Sequence, residues 1–183
     1  ILTLKFKIYD IFSLSSILPQ QEQLGVLGQG HDVLSKIARN AATLINPSVE
    51  ELSSILPDPP SSNDRIIFLT DTISAAQCST CEEEEIFSAN ALEETVLRLY
   101  GESGTGQILK RHLNSFSFND LSEYLDNSSS RADVGSAISE ANWVVFSILD
   151  IDKERPSSNA LKRLLTENPG ILHDKNVIVF AFN

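Results

Sequence analysis

The amino-acid sequence predicts an α/β fold: a three-layer α/β/α sandwich, Rossmann- or flavodoxin-like, with a mainly parallel sheet truncated at both ends. The runs Ile66-Ile67-Phe68-Leu69, Trp143–Leu149 and Val177–Phe182 are short and apolar throughout, as strands covered on both faces must be. Amphipathic stretches of helical period separate them. Buried strands alternating with such helices build a parallel sheet with helices on its two sides. The chain of 183 residues also starts at Ile1 without any Met and stops within the third run, which reads as a piece of a longer protein.

Residues 1–12 carry two patterns at once. Leu2, Leu4, Phe6 and Ile8 alternate with Thr3, Lys5 and Lys7 as in a strand, whereas Ile1, Leu4 and Ile8 share a helical stripe, so periodicity leaves both open. From Gly30 onward, Val33, Ile37, Ala41 and Leu44 mark one face of a helix of about 14 residues closed by Asn46-Pro47. Ser48 followed three places on by Glu51 is a capping box, and it opens a short helix ending before Pro57. Asp58-Pro59-Pro60-Ser61-Ser62-Asn63-Asp64 is a solvated connector into the first buried strand, which Arg65 and Asp71 bound. Helices follow at Ala89–Tyr100, Asn119–Leu125, Ala132–Ala141 and Ala160–Leu165, with a weaker strand signal at Ser115–Phe118 and a loop at Ser128–Ser130.

Charge excludes one class of partner. With 14 Lys+Arg against 25 Asp+Glu and a net charge of −11, the scattered cations cannot form the clustered positive surface on which nucleic-acid affinity rests. No apolar run approaches the roughly 18 residues that a membrane-spanning helix needs, and the first residues show no basic segment leading to a small-residue cleavage site.

Several constellations invite a chemical reading. Gly101 and Gly106 in Gly101-Glu102-Ser103-Gly104-Thr105-Gly106 have the spacing of a phosphate-binding loop, but Gln107 and Ile108 stand where Lys and Ser or Thr are needed. A helix precedes the motif, and the carbonyls at a helix C-terminus repel phosphate. The segment therefore reads as a helix stop with Gly101 free to take a positive φ. Cys78-Ser79-Thr80-Cys81 is a lone C-x-x-C without a second Cys pair, and His31, His112 and His173 are scattered, short of the four ligands of a structural zinc. It reads as a loop staple or two unpaired thiols ahead of redox or metal chemistry, since Glu82–Glu85 directly after it disfavour a thiolate. The four glutamates themselves read as a solvated acidic loop rather than a calcium site.

Asp71, Asp150 and Asp152 fall just past the ends of two presumed parallel strands, at the edge where open α/β sheets bind ligands. They are the candidate ligand edge, although Asp is also a common strand-end residue. No Ser/His/Asp order or G-x-S-x-G elbow suggests a triad. His31 reads as a helix-start residue and Trp143 as core.

These pieces together resemble a known family. Ile1-Leu2-Thr3-Leu4-Lys5-Phe6-Lys7-Ile8-Tyr9 is similar to the last barrel helix of family 3 glycoside hydrolases, the β-N-acetylhexosaminidase and β-glucosidase superfamily, which resolves residues 1–12 towards helix. His31–Ile45 is similar to the helix that opens the family's second domain, with Leu34 and Ser35 departing from the commonest pattern. Ile66–Asp71, Gln77–Cys81, Ala91–Gly101 and Val177–Asn183 look like a bacterial subgroup of these proteins. The resemblance covers nearly the whole chain in order, through motifs that are individually degenerate.

The resemblance implies that residues 1–29 are the end of a barrel helix and a linker, and residues 30–183 an incomplete C-terminal α/β sandwich domain. Its partner is the catalytic (β/α)8 barrel of the same parent chain, with carbohydrate as a further candidate. The family's nucleophilic Asp and its Asp–His acid/base belong to the barrel, and no motif for the general-acid Glu of the β-glucosidase branch matches a Glu here. No catalytic, cofactor-binding or metal-binding residue is carried over, and the fragment alone is expected to be inactive. Two rival readings stand beside this one: a free-standing flavodoxin-like or receiver-like module using Asp71 or Asp150, and a carbohydrate-binding module using Trp143. Localisation is open and leans outside the cytoplasm, on the two Cys and on Asn127-Ser128-Ser129, a glycosylation acceptor in a eukaryotic secretory route.

Overall fold

The structure, a computed structural model, describes residues 25, 30–126, 132–149 and 159–182. They fall into two units, one up to Leu56 and one from Pro57 onward. Residues 1–12, Asn127-Ser128-Ser129, the loop expected at Ser128–Ser130, and Asp150 and Asp152 lie outside the described residues.

The first unit holds two helices, α1 (His31–Ala41) and α2 (Val49–Ile55). α1 is shorter than its apolar spacing predicts: Ala42 turns to extended backbone and the Thr43 hydroxyl donates to Ala41 O at 3.4 Å. A β-branched residue whose hydroxyl satisfies a terminal carbonyl competes with further helix. Val33, Leu34 and Ile37 on α1 are exposed, at 62%, 64% and 59%. α2 begins with the capping box read from the sequence, Glu51 N–H donating to Ser48 Oγ at 3.4 Å and Ser48 N–H to Glu51 Oε2 at 3.1 Å.

The second unit is the α/β domain. Its order is β1 (Ile66–Thr70), β2 (Ile73–Ala76), β3 (Glu83–Phe87), α3 (Ala91–Tyr100), a 3₁₀ turn at Lys110–His112, β4 (Leu113–Ser117), α4 (Phe118–Leu125), α5 (Ala132–Glu140), β5 (Trp143–Ile148), α6 (Ala160–Glu167) and β6 (Asn176–Ala181). The main sheet has four strands in the order β4-β1-β5-β6, and every pairing is parallel. β2 and β3 form a separate antiparallel hairpin in the connection from β1 to α3.

Alternation along β1 divides the core in two. Ile67 and Leu69 pack with Val144 and Phe146 of β5 against Phe118 and Leu121 of α4, Val134 and Ile138 of α5 and Leu164 of α6. Ile66 and Phe68 face the other way with Leu113, Trp143 and Val145, under Leu92 and Val96 of α3. Helices therefore cover both faces of the sheet, giving the three layers that the continuous apolar runs predict.

Polar contacts fix the ends of the elements. Ser117 caps α4 by accepting from Asp120 N–H at 3.1 Å, so Phe118 is drawn into the helix and β4 ends one residue earlier than its sequence signal. Lys175 Nζ donates to Ser139 O at 3.0 Å and Ala141 O at 2.8 Å, satisfying carbonyls at the end of α5. Arg163 on α6 reaches Glu167 and Asp126, and these two hydrogen bonds, Glu167 first, hold its guanidinium above its ordinary pKa. Arg65 pairs with Glu140.

Two sequence expectations are corrected. Glu83, Glu84 and Glu85 of the acidic run are solvated as expected but belong to strand β3 rather than to a loop, because they pair with Ala76, Ala75 and Ser74. Gly101 stops α3 without a positive φ, its φ being −76°; it is needed because a Cβ there would collide with Leu97 O. The positive φ of this loop, 71°, is at Gly106.

Replacing Leu69, which is fully buried between the strands and α4, with Ala is expected to cost about 2–5 kcal/mol in urea unfolding, through lost burial and a residual cavity. Ile86→Ala, at a position 71% exposed, should stay within about 0.5 kcal/mol.

Candidate functional site

The topology singles out one edge of the domain. From β1 the chain passes to β4 on one side, and after β4 it crosses to β5 on the other. The order of connections thus reverses between β1 and β5. In open α/β sheets a crevice opens outside the carboxyl ends of the strands at such a point.

Thr70, Asp71 and Ser147 meet there, and they are the buried polar side chains among the described residues, each at 0% exposure. Thr70 ends β1 and lies in register with Ser147 of β5 on one side and Ser117 of β4 on the other. Its hydroxyl donates to Ala89 O at 3.3 Å, just ahead of α3. Asp71 follows β1 directly, and its N–H donates to Ser147 O at 2.8 Å, continuing the β1–β5 ladder by one bond. The Ser147 hydroxyl has no hydrogen-bond partner, which leaves one buried polar atom of the trio uncompensated.

Neighbouring polar groups are committed to the fold. Ser115 Oγ donates to Glu93 Oε2 at 2.6 Å, tying β4 to α3, while Ser117 Oγ donates to Asp120 Oδ2 at 2.9 Å. Towards β6 the edge turns aromatic. Phe180 pairs in register with Ser147; its ring lies 6.5 Å from Phe182, which in turn lies 5.6 Å from Phe87 at the base of the hairpin. The edge thus grades from hydroxyls at β4, β1 and β5 to phenyl rings at β6.

Of the three strand-end carboxylates read from the sequence, Asp71 occupies this edge, while Asp150 and Asp152 lie outside the described residues. The structure also brings in groups that periodicity did not single out: Ser147, whose signal was a hydroxyl interrupting an apolar strand, and Phe87, grouped with Phe182 only through the hairpin. Trp143 is in the core at 7% exposure and presents no open ring face to a sugar. Cys78 and Cys81 form a disulfide at the hairpin tip, which decides between the two alternatives of staple and free thiols. No three His, Cys, Asp or Glu side chains among the described residues are grouped to hold a metal ion. Nor is any described helix long and apolar enough to cross a membrane.

Comparison with known proteins adds nothing to this geometry: no family model matches the chain, and neither the curated proteins nor the solved structures yield a match.

Chemically, the edge offers one buried carboxyl flanked by hydroxyls. Among the described carboxyls near this edge, Asp71 is buried, while Glu93 and Asp120 are hydrogen-bonded to Ser115 and Ser117 of β4. The arrangement suits shaping and polar contact.

Removing the Ser147 hydroxyl should separate its role from that of Thr70. Ser147→Ala removes an unpartnered buried hydroxyl and is expected to leave stability unchanged or raise it by up to about 1 kcal/mol in chemical denaturation. Thr70→Val loses the bond to Ala89 O and should cost about 1 kcal/mol.

Proposed function

We propose that the chain is the non-catalytic C-terminal α/β domain of an enzyme resembling family 3 glycoside hydrolases. In this reading the parent protein hydrolyses terminal β-linked sugars, β-N-acetylglucosaminides or β-glucosides, and its catalytic barrel holds the reacting carboxyl groups. The observation that carries the reading is the coincidence of the family-like segments with elements of structure. His31–Ile45 contains α1, Ile66–Asp71 is β1 with the buried carboxyl at its end, Ala91–Gly101 is α3 with its stop, and Val177–Asn183 contains most of β6.

Two further observations support it. The carboxyl edge buries one described carboxyl, Asp71, and most of the hydroxyls around it are already hydrogen-bonded, those of β4 to Glu93 and Asp120, as suits a wall of a cleft more than a reacting centre. Apolar side chains on α1 and along β6 are uncovered, Val179 at 53% and Phe180 at 45% among them. Such faces fit an accessory domain that packs against the barrel of its own polypeptide. A second reading, a flavodoxin-like or receiver-like ligand-binding module, draws on the position of Asp71 at the β1–β5 switch point.

Hydrolysis of a chromogenic β-N-acetylglucosaminide and a β-glucoside discriminates between these readings. The chain alone is expected to leave both at buffer background, while the barrel-containing protein turns over at least one, at a rate of order 1 s⁻¹ or more. Turnover by the chain alone, lost in Asp71→Asn, would transfer the chemistry to this domain. Inactivity of the barrel-containing protein on both would overturn the glycosidase reading.

A further inference from the structure

The β2–β3 hairpin projects from the carboxyl edge, entering two residues after Asp71 and returning to the start of α3. It has no core of its own. Every residue from Ser74 to Ile86 is exposed, and only Ile73 and Phe87 at its base are partly covered, Phe87 by its contact with Phe182. An isolated two-stranded ribbon is marginal in water. This one carries added repulsion, because Glu83, Glu84 and Glu85 open β3 directly after Glu82, crowding four like charges at one end of the ribbon. Its pairing is also irregular between Ile73 and Ser74. Such a ladder needs a closure at its far end, and Cys78–Cys81 is that closure: a disulfide across three residues of sequence separation, over a turn in which Cys81 N–H donates to Cys78 O at 3.1 Å.

We propose that the hairpin is a redox-stapled arm of the ligand edge, ordered while the disulfide is intact and frayed when a dithiol reduces it. Both cysteines are exposed and open to an attacking thiolate. That thiolate attacks one sulfur, the Cys78–Cys81 bond breaks and a mixed disulfide forms. The second thiol of the reductant then displaces the protein sulfur. The reductant leaves as a disulfide, and two electrons and two protons have passed to Cys78 and Cys81. The acidic run repels an anionic attacker, so the reaction is faster at high salt, where those charges are screened. The loop-entropy relation for a four-residue closure gives the staple a weight of about 20-fold in the ratio of closed to open hairpin. Opening releases Phe87 from Phe182 and loosens the segment that joins Asp71 to α3. The redox state of the surroundings thereby reaches the crevice itself. This inference stands independently of the glycosidase reading.

Hydrogen–deuterium exchange on the chain, with and without a dithiol reductant, tests it, alongside the Cys78→Ala/Cys81→Ala variant. Backbone amides of residues 73–87 should exchange about 20-fold faster in the reduced protein and in the double variant, with β1 and β5 unchanged. Unchanged exchange in the hairpin overturns the proposal. Equal acceleration across the central sheet also overturns it, by making the disulfide a prop of the whole domain. So does alkylation of both cysteines in the protein before any reductant is added.

Discussion

Every feature of the domain is arranged around the complete burial of one strand. β1 is hydrogen-bonded on both flanks, to β4 and to β5, and all five of its residues are buried. A strand in that position can carry no polar side chain on either face without a partner, and both faces must be roofed. The roof over Ile67 and Leu69 comes from α4, α5 and α6, and that over Ile66 and Phe68 from α3. Once those helices are placed, the connections of a parallel sheet must leave at its carboxyl end. Polar groups can then enter the domain only where β1 stops, and Thr70 and Asp71 stand there.

That constraint explains the edge's chemistry. Desolvating a hydroxyl costs about 1–3 kcal/mol unless a hydrogen bond replaces water, and the fold meets this cost for Thr70 through Ala89 O and for Ser115 through Glu93. Ser147 is the exception, being fully buried without a partner. A Val or Ala at that position would serve packing better. The hydroxyl sits beside the backbone bond that links Asp71 to β5, where the sheet's order of connections reverses. Ser122 Oγ on α4 is likewise buried without a partner, but Ser147 alone of the two stands at the switch point, where a group kept against stability is what a site adapted to something else looks like.

The central strands and most helices were legible because their signals are local: an unbroken apolar run at Ile66–Leu69, a helical stripe at Leu92, Val96 and Leu99, a capping box at Ser48. The hairpin was not legible. Its strand β3 opens with three glutamates, Glu83–Glu85, that have low strand propensity and bury nothing, and it is held by pairing with Ser74–Ala76 and by the Cys78–Cys81 bond. Asp71 was legible from its place after an apolar run. The grouping of Phe87 with Phe182 was not, because residues 95 positions apart meet only through tertiary structure. The end of α1 is hidden from periodicity for a related reason: Leu44 continues the apolar stripe, but the backbone is already extended at Ala42 and Thr43 Oγ1 donates to Ala41 O.

The uneven cover of the sheet carries the last step. β5 is roofed on both sides, whereas its neighbour β6, equally apolar, keeps Val177, Ile178, Val179 and Phe180 between 37% and 53% exposed. At about 25 cal/mol per Å² of apolar area removed from water, covering such side chains is one of the larger stabilising terms still open to the domain. Any surface that binds the native form there raises its stability through linkage, because the unfolded chain offers no matching face. In the reading of an accessory domain, this couples folding of the sandwich to its seating on the barrel. In that reading the helices secure β1 and β5 within the domain itself, while the barrel would complete the cover of the β6 side.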